Sequence, residues 1–387
     1  MAEHENGKPH DSTATPTEPA TAPAKPNAQM KAVLDKLASL GGKPITSLKP
    51  EDARKEPSPA DAVKALMKDK DIPGPEKVGE VDDIDIKLAT LDLKGRVYKP
   101  EGDGPFPIIL YIHGGGWVIA DLDTYDATPR ALANGANAIV VSTHYRQAPE
   151  YKFPAAHNDV YGAYQWVLKN GHQWGGNTKN IAVVGESAGG NMAAAICIMA
   201  QAEGIQMPVH QTLIYPVADT MMDTPSYIEN ADAKPLNAPM MKWFADHTFA
   251  DRADAKNPKV ALLQAQTLRG LPSATIITAQ IDPLRSEGLA LAKKLEGDGV
   301  KATYKNYDGV THEFFGMGAV LDEAKQANAL VCAELKAAFA APPATPSAPP
   351  AVPDEAAATP SSTTSPAAVA PTEHPPVRDL APEDEEE

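Results

Sequence analysis

The sequence predicts an α/β fold in which helices cover both faces of a mostly parallel central sheet. Short β-branched runs alternate along the chain with longer segments of helical periodicity. Polar residues that could act in catalysis follow directly after several of these runs. This alternation is typical of parallel sheets whose strands are joined by helices, and such sheets carry their sites at the carboxyl ends of the strands.

The predicted elements follow one another in a simple order. Residues 28–72 are expected to form short helices, because apolar side chains recur there at helical spacing. Two opening strands, at 81–86 and 95–98, are expected to pair as an antiparallel hairpin at the sheet edge. A helix is predicted over 158–169. The parallel strands are expected at 107–112, 138–142, 181–184, 212–215, 274–279 and 302–307.

Composition marks the boundaries of the folded part. Residues 1–27 are rich in Thr, Pro, Ala and Glu, and residues 342–387 are rich in Pro and Ala and end in an acidic run. Neither segment has enough apolar side chains to offset the entropy of ordering, so both are predicted to be disordered tails. The main α/β domain is therefore expected at 73–341, with an insertion at about 219–255.

Charge and cysteine content exclude several classes of protein. The formal net charge of −16 argues against nucleic-acid binding, because the chain has no excess of basic side chains to neutralise phosphates. No apolar run is long enough to span a bilayer, and the first residues lack the pattern of a signal peptide, so we expect a cytoplasmic protein.

Cys197 and Cys332 are expected as buried free thiols. Arg146 and Glu150 are expected to form a buried structural pair.

The most informative motif is Gly-Glu-Ser-Ala-Gly-Gly at residues 185–190. A β-branched run precedes it, and the helical segment 191–199 follows it. A strand, then Gly-x-Ser-x-Gly, then a helix is the setting of a nucleophile elbow. The glycines permit a turn sharp enough to expose the hydroxyl of Ser187, and the new helix favours negative charge at its first turn.

A second, independent motif is His-Gly-Gly-Gly-Trp at residues 113–117, which follows the predicted strand 107–112. Consecutive glycines let backbone N–H groups approach the oxyanion of a tetrahedral intermediate. Glycine-rich loops also bind phosphates, but neither a Walker motif nor a dinucleotide-binding fingerprint is present. The loop therefore favours acyl-transfer chemistry.

Chain order identifies a base and an acid to accompany Ser187. After a nucleophile elbow the order is Asp or Glu and then His. His312 follows a predicted strand, whereas His374, the other late histidine, lies in the Pro/Ala-rich tail. Asp282 directly follows the strand at 274–279 and is the favoured acid. Asp219 is its rival and is otherwise a loop or cap residue.

Five motifs in order resemble the bacterial hormone-sensitive-lipase-like esterases, which are α/β-hydrolases. The likeness covers about residues 30–340. The chain departs from the usual family pattern at Glu186, where Asp or Thr is common, and at Ser286. The motifs lie at residues 113–117, 145–150 (Tyr-Arg-Gln-Ala-Pro-Glu), 185–190, 282–288 (Asp-Pro-Leu-Arg-Ser-Glu-Gly) and 312–317 (His-Glu-Phe-Phe-Gly-Met).

The resemblance implies a role for each matching position. Ser187 would be the nucleophile, Asp282 the acid and His312 the base. The oxyanion donors would be the N–H groups of Gly115, Gly116 and Ala188, with Gly114 shaping the loop. Residues 28–72 and the insertion would form a helical cap over the site. Six side chains in the cap or the glycine loop are expected either to pack in the ordinary way or to line an acyl pocket. They are Trp117, Met221, Met222, Met240, Trp243 and Phe244.

The function expected on these grounds is hydrolysis of a small-molecule ester, with short to medium acyl chains, through a Ser-His-Asp triad and an acyl-enzyme. No metal or other cofactor is expected, because no His/Cys/Asp cluster has ligand spacing. A serine amidase or peptidase on the same fold is the main alternative, and a non-catalytic binding homologue is a second. The sequence leaves the oligomeric state open, a homo-oligomer included.

Overall fold

A computed structural model of the chain describes residues 24–341, and its frame is one eight-stranded sheet. The strands lie side by side in the order β1-β2-β4-β3-β5-β6-β7-β8. They are β1 (Glu80–Lys87), β2 (Asp92–Lys99), β3 (Phe106–Ile112), β4 (Ile139–Thr143), β5 (Gly176–Glu186), β6 (Gln211–Ile214), β7 (Ala274–Ile281) and β8 (Ala302–Thr311).

Strand direction confirms the prediction of a mostly parallel sheet with an antiparallel edge. β1 pairs with β2 as a hairpin, Glu80 opposite Lys99, and β2 pairs antiparallel with β4. All pairings from β4 through β3 to β8 are parallel. The carboxyl ends of the strands from β3 onward therefore meet at one edge of the sheet, which is where a site is expected.

Eleven helices are present among residues 24–341. They are α1 (Ala28–Ser39), α2 (Pro50–Ala53), α3 (Pro59–Asp69), α4 (Ala127–Ala136), α5 (Ala155–Asn170), α6 (Ala188–Glu203), α7 (Pro225–Glu229), α8 (Ala238–Thr248), α9 (Arg252–Ala255), α10 (Arg285–Gly297) and α11 (Asp322–Ala340). Short 3₁₀ helices occur at Ile45–Ser47, Gly171–Trp174, Leu262–Gln264 and Phe314–Met317. None of the described helices is both long and apolar enough to cross a membrane.

The core lies in two layers, one on each face of the sheet. Successive side chains of β3 point to opposite faces, so Leu110 belongs to the core layer that contains α5, α6 and α10, whereas Ile109 belongs to the layer that contains α4 and α11. β3, β4 and most of β5 are buried on both sides. Burial on both faces explains why these strands read as near-continuous apolar runs in the sequence.

The N-terminal helices pack on the second of these faces. Met30 of α1 and Val63 of α3 are buried against it. Asn27 caps α1 through a 2.8 Å hydrogen bond to the N–H of Met30, and its own N–H donates to the carbonyl of Gly309. Asn27, the last residue of the predicted N-terminal tail, therefore contacts the folded chain. Residues 1–23, the tail at 342–387 and His374 lie outside the described residues.

The sequence also predicts two buried free cysteines and one buried ion pair. Cys197 and Cys332 are buried and unpaired by disulfide, as predicted. The predicted pairing of Arg146 with Glu150 is wrong. Arg146 pairs with Asp159 on α5 at 2.7 Å, and Glu150 pairs with Arg54, also at 2.7 Å. Asp159 is 13 positions from Arg146, whereas Arg54 is 96 positions from Glu150 and belongs to the N-terminal segment.

Candidate active site

Ser187 stands at the junction of β5 and α6, in a sharp turn. Its backbone angles, φ 58° and ψ −119°, are unusual for a residue with a side chain and are typical of an elbow that exposes the serine. The turn fits only because of its small neighbours. A Cβ atom at Gly189 would lie 2.1 Å from the carbonyl oxygen of Ile112 on the adjacent strand β3.

His312 and Asp282 meet Ser187 at the carboxyl edge of the sheet. β7 ends one residue before Asp282, and β8 ends one residue before His312. His312 Nε2 lies 2.9 Å from Ser187 Oγ, and His312 Nδ1 lies 2.7 Å from Asp282 Oδ2. The second carboxylate oxygen of Asp282 accepts the N–H of Leu284 at 2.9 Å, which fixes its orientation.

These contacts determine which ring nitrogen of His312 carries the proton. An ionised carboxylate can only accept, so Nδ1 donates to Asp282 and leaves Nε2 free to accept from Ser187. Burial lowers the pKa of His312, but the charge of Asp282 and its hydrogen bond outweigh this, and the pKa lies above its ordinary value. The arrangement can therefore move a proton from the serine hydroxyl to the imidazole.

The glycine loop lies beside the serine, after β3. Gly115 and Gly116 line the same cavity as Ser187 and His312. Gly116 has a φ of +57°, and a Cβ there would lie 2.3 Å from the ring of Phe244, so only glycine fits. Ala188 begins α6, where backbone N–H groups lack partners within the helix. Gly114 packs against the hydroxyl of Tyr125.

A cavity of about 550 Å³ opens onto Ser187. The N-terminal segment supplies part of its wall, including Leu34, Leu37 and Ile45. The insertion supplies another part, including Leu236 and the face of α8. Both segments expected to roof the site thus border it in the structure.

Of the six residues expected to pack or line an acyl pocket, four border the cavity: Trp117, Met222, Met240 and Phe244. Met240 and Phe244 are four residues apart on α8 and so share one face. Met221 is 54% exposed at the surface, because it and Met222 are neighbours in a non-helical loop and face different ways. Trp243 points elsewhere on α8 and packs against His247, 4.3 Å between ring centroids.

The rival acid, Asp219, has other partners. One of its carboxylate oxygens accepts the N–H of Thr220, and the other accepts the side-chain amide of Gln264. The carboxyl of Glu287, buried on α10, accepts the N–H groups of Ala218 and Asp219 at 2.6 and 2.7 Å. Burial raises the pKa of Glu287 to about 8. These contacts hold the loop after β6 in place.

Behind His312 lies a buried layer that sequence reasoning did not find. The ring of Tyr215 packs on the imidazole, 4.4 Å between centroids, and its hydroxyl donates to Glu186. Tyr111 donates to the other oxygen of Glu186 at 2.5 Å. Burial raises the pKa of Glu186 to about 7. The unusual residue of the elbow is thus anchored by two tyrosines, one of which supports the ring of His312.

A family model described as the α/β-hydrolase fold matches residues 109–316 of the chain. The chain belongs to the α/β-hydrolase family. The resemblance to the hormone-sensitive-lipase-like esterases is confirmed by this match and by the relatives that are named as esterases.

Curated relatives cover most of this α/β-hydrolase. Esterase LipI of Mycobacterium tuberculosis is 40% identical over 237 residues, 60% of this chain and 74% of LipI. An ethyl acetate hydrolase of Pseudomonas putida is 34% identical over 269 residues, 67% of this chain and 84% of the relative.

Solved structures of esterases share the fold. A hyperthermophilic esterase from Pyrobaculum calidifontis matches with a TM-score of 0.74 and 34% identity, covering 82% of this chain and 100% of the esterase. A thermostable esterase from Pseudomonas putida matches with a TM-score of 0.75 and 32% identity, covering 85% of this chain and 100% of the esterase.

Proposed function

We propose that this α/β-hydrolase is a serine carboxylesterase that cleaves short- to medium-chain acyl esters of small molecules. The observation that carries the proposal is the chain of contacts from Ser187 Oγ to His312 Nε2 (2.9 Å) and from His312 Nδ1 to Asp282 (2.7 Å) beside a cavity. The relatives named as esterases and carboxylesterases support ester hydrolysis as the class of activity.

In the first half of the reaction, His312 takes the proton from Ser187 as Oγ attacks the ester carbonyl carbon. The tetrahedral intermediate places negative charge on the former carbonyl oxygen. The N–H groups of Gly115, Gly116 and Ala188 stabilise that charge. Collapse breaks the bond to the alcohol oxygen, which takes the proton from His312 Nε2 and leaves an acyl-enzyme.

In the second half, water replaces the alcohol. His312 takes a proton from water as its oxygen attacks the acyl carbon, and the second tetrahedral intermediate uses the same donors. Collapse returns the proton to Ser187 Oγ and releases the acid. Asp282 holds the productive tautomer and stabilises the imidazolium in both halves.

The cap proposal explains how a substrate is selected. Residues 28–72 and 219–255 roof the cavity, so its volume limits the acyl chain that fits. Met240 and Phe244 project into this space from α8, and methionine adapts to varied acyl shapes.

Turnover of a series of nitrophenyl acyl esters, from acetate to palmitate, tests this function. We expect the highest kcat/KM for short to medium chains and much slower turnover of the matched anilides. Met240→Trp should shift the optimum toward shorter chains because it fills the cavity, whereas Met221→Trp, on the exposed neighbour of Met222, should leave the optimum unchanged.

Three other outcomes of these assays would contradict the proposal. Faster turnover of the anilides than of the esters would identify an amidase. Equal effects of the two tryptophan variants on the chain-length profile would contradict the placement of the acyl pocket under α8. If the chain hydrolyses none of the esters, it is a non-catalytic binding protein and the proposal is wrong.

The pH dependence follows from the state of His312. Only the neutral imidazole can accept the serine proton, and its pKa is raised above the ordinary value of about 6.5. We expect kcat/KM to fall as the pH drops through a midpoint above about 6.5, since the raised pKa keeps the ring protonated to higher pH. A midpoint below about 6 in a pH profile of kcat/KM would contradict this.

A further inference from the structure

Glu313, the residue after His312, has backbone angles that glycine adopts readily and that other residues disfavour. Its φ is 71° and its ψ is 3°, in the left-handed region. Residues other than glycine adopt this conformation uncommonly, because it is strained for them. The surrounding structure must therefore hold a glutamate here against a local preference for glycine.

The carboxylate of Glu313 is fixed by Tyr125, a buried residue from the segment between β3 and α4. The Tyr125 hydroxyl lies 2.7 and 2.8 Å from the two carboxylate oxygens and can donate to either. Held there, Oε1 of Glu313 lies 3.9 Å from Nε2 of His312. Asp282 contacts the opposite nitrogen, Nδ1. His312 thus has one carboxylate at each ring nitrogen, and Glu313 lies beside the nitrogen that faces Ser187.

The charge of Glu313 is directed at the cavity. Its side chain is 22% exposed and borders the cavity. Within residues 24–341 its ion-pair contact is with His312 alone. The lysines that border the cavity, Lys43, Lys55 and Lys234, are exposed, and Arg54 is bound to Glu150. Burial raises the pKa of Glu313, while His312 lowers it.

We propose that Glu313 determines specificity for the leaving alcohol, and that the chain prefers esters whose alcohol part carries a positive charge a few bonds from the ester oxygen. This inference rests on the proposed function. In that reaction Nε2 of His312 returns the proton to the alcohol oxygen, so the alcohol must lie beside Nε2 and hence beside Oε1 of Glu313. A quaternary ammonium on that alcohol meets a carboxylate in a partly desolvated site, and an anionic alcohol is repelled there.

Two esters with the same acyl group and matched shape test the proposal: acetylcholine and its neutral isostere, 3,3-dimethylbutyl acetate. The ratio of their kcat/KM values reports only the effect of the charge. At about pH 8.5, we expect Glu313→Gln to lower this ratio about tenfold. Glu313→Gly, which suits the left-handed backbone, should lower it equally, whereas Glu313→Asp should retain much of it.

A matched control uses another carboxylate that borders the cavity. Glu56 accepts the backbone N–H of Lys43 at 2.7 Å, and Glu56→Gln should leave the ratio within about twofold. An unchanged ratio in both Glu313→Gln and Glu313→Gly, with both esters still hydrolysed, would overturn the proposal. Failure of the proposed function gives a different result, because the unaltered chain would then hydrolyse neither ester.

Discussion

Ser187→Ala is expected to lower kcat for ester hydrolysis by about 10⁶-fold, to the level of residual binding and oxyanion stabilisation. The change removes only Oγ, the atom 2.9 Å from His312 Nε2, so no acyl-enzyme can form. Folding should be unaffected, because the elbow and its glycines remain. Steady-state turnover of a nitrophenyl acyl ester measures the effect, and circular dichroism checks the fold.

A second buried serine provides the matched control. Ser142 lies on β4, is 1% exposed, and its hydroxyl has no hydrogen-bond partner within residues 24–341. Ser142→Ala should retain activity within a few-fold. Substantial activity in Ser187→Ala that survives purification would mean that another group attacks the ester.

Asp282→Asn is expected to lower kcat by about 10⁴-fold, as loss of the triad carboxylate does elsewhere. The amide nitrogen of asparagine is a donor, so His312 Nδ1 would turn from donor to acceptor. The proton would then lie on Nε2, which could no longer accept from Ser187. The fold should remain, because the amide oxygen can still accept the N–H of Leu284.

The rival carboxylate gives the comparison that decides the acid. Asp219→Asn should change kcat by less than about tenfold, because Asp219 contacts Thr220 and Gln264 and not His312. A severe loss in Asp219→Asn with a mild one in Asp282→Asn would move the acid to the loop after β6.

Local patterns predicted the frame and the residues that meet at its edge. Strands β3, β4 and β7 are buried on both faces, so each is an almost continuous apolar run in the sequence. Ser187, Asp282 and His312 each follow a parallel strand, His312 the edge strand β8, and parallel strands bring their carboxyl ends together. Proximity therefore follows from topology before any side chain is placed.

Contacts between distant side chains could not be predicted in this way. Tyr125 and Glu313 are 188 positions apart, and no local pattern links them. Arg146 pairs with Asp159 on α5 and not with its near neighbour Glu150. Met221 and Met222 are alike in sequence, yet only Met222 borders the cavity. Such choices depend on how loops and helices pack, which periodicity does not encode.

The most direct test of the central claim is covalent labelling with a fluorophosphonate, which reacts with a serine activated by a neighbouring base. Intact-mass and peptide analysis of the labelled chain should give one adduct per chain, located on Ser187, and no labelling in Ser187→Ala. The adduct should form much more slowly in Asp282→Asn. An adduct on a different serine, or none on a folded chain that hydrolyses esters, would contradict the assignment of Ser187 as the nucleophile.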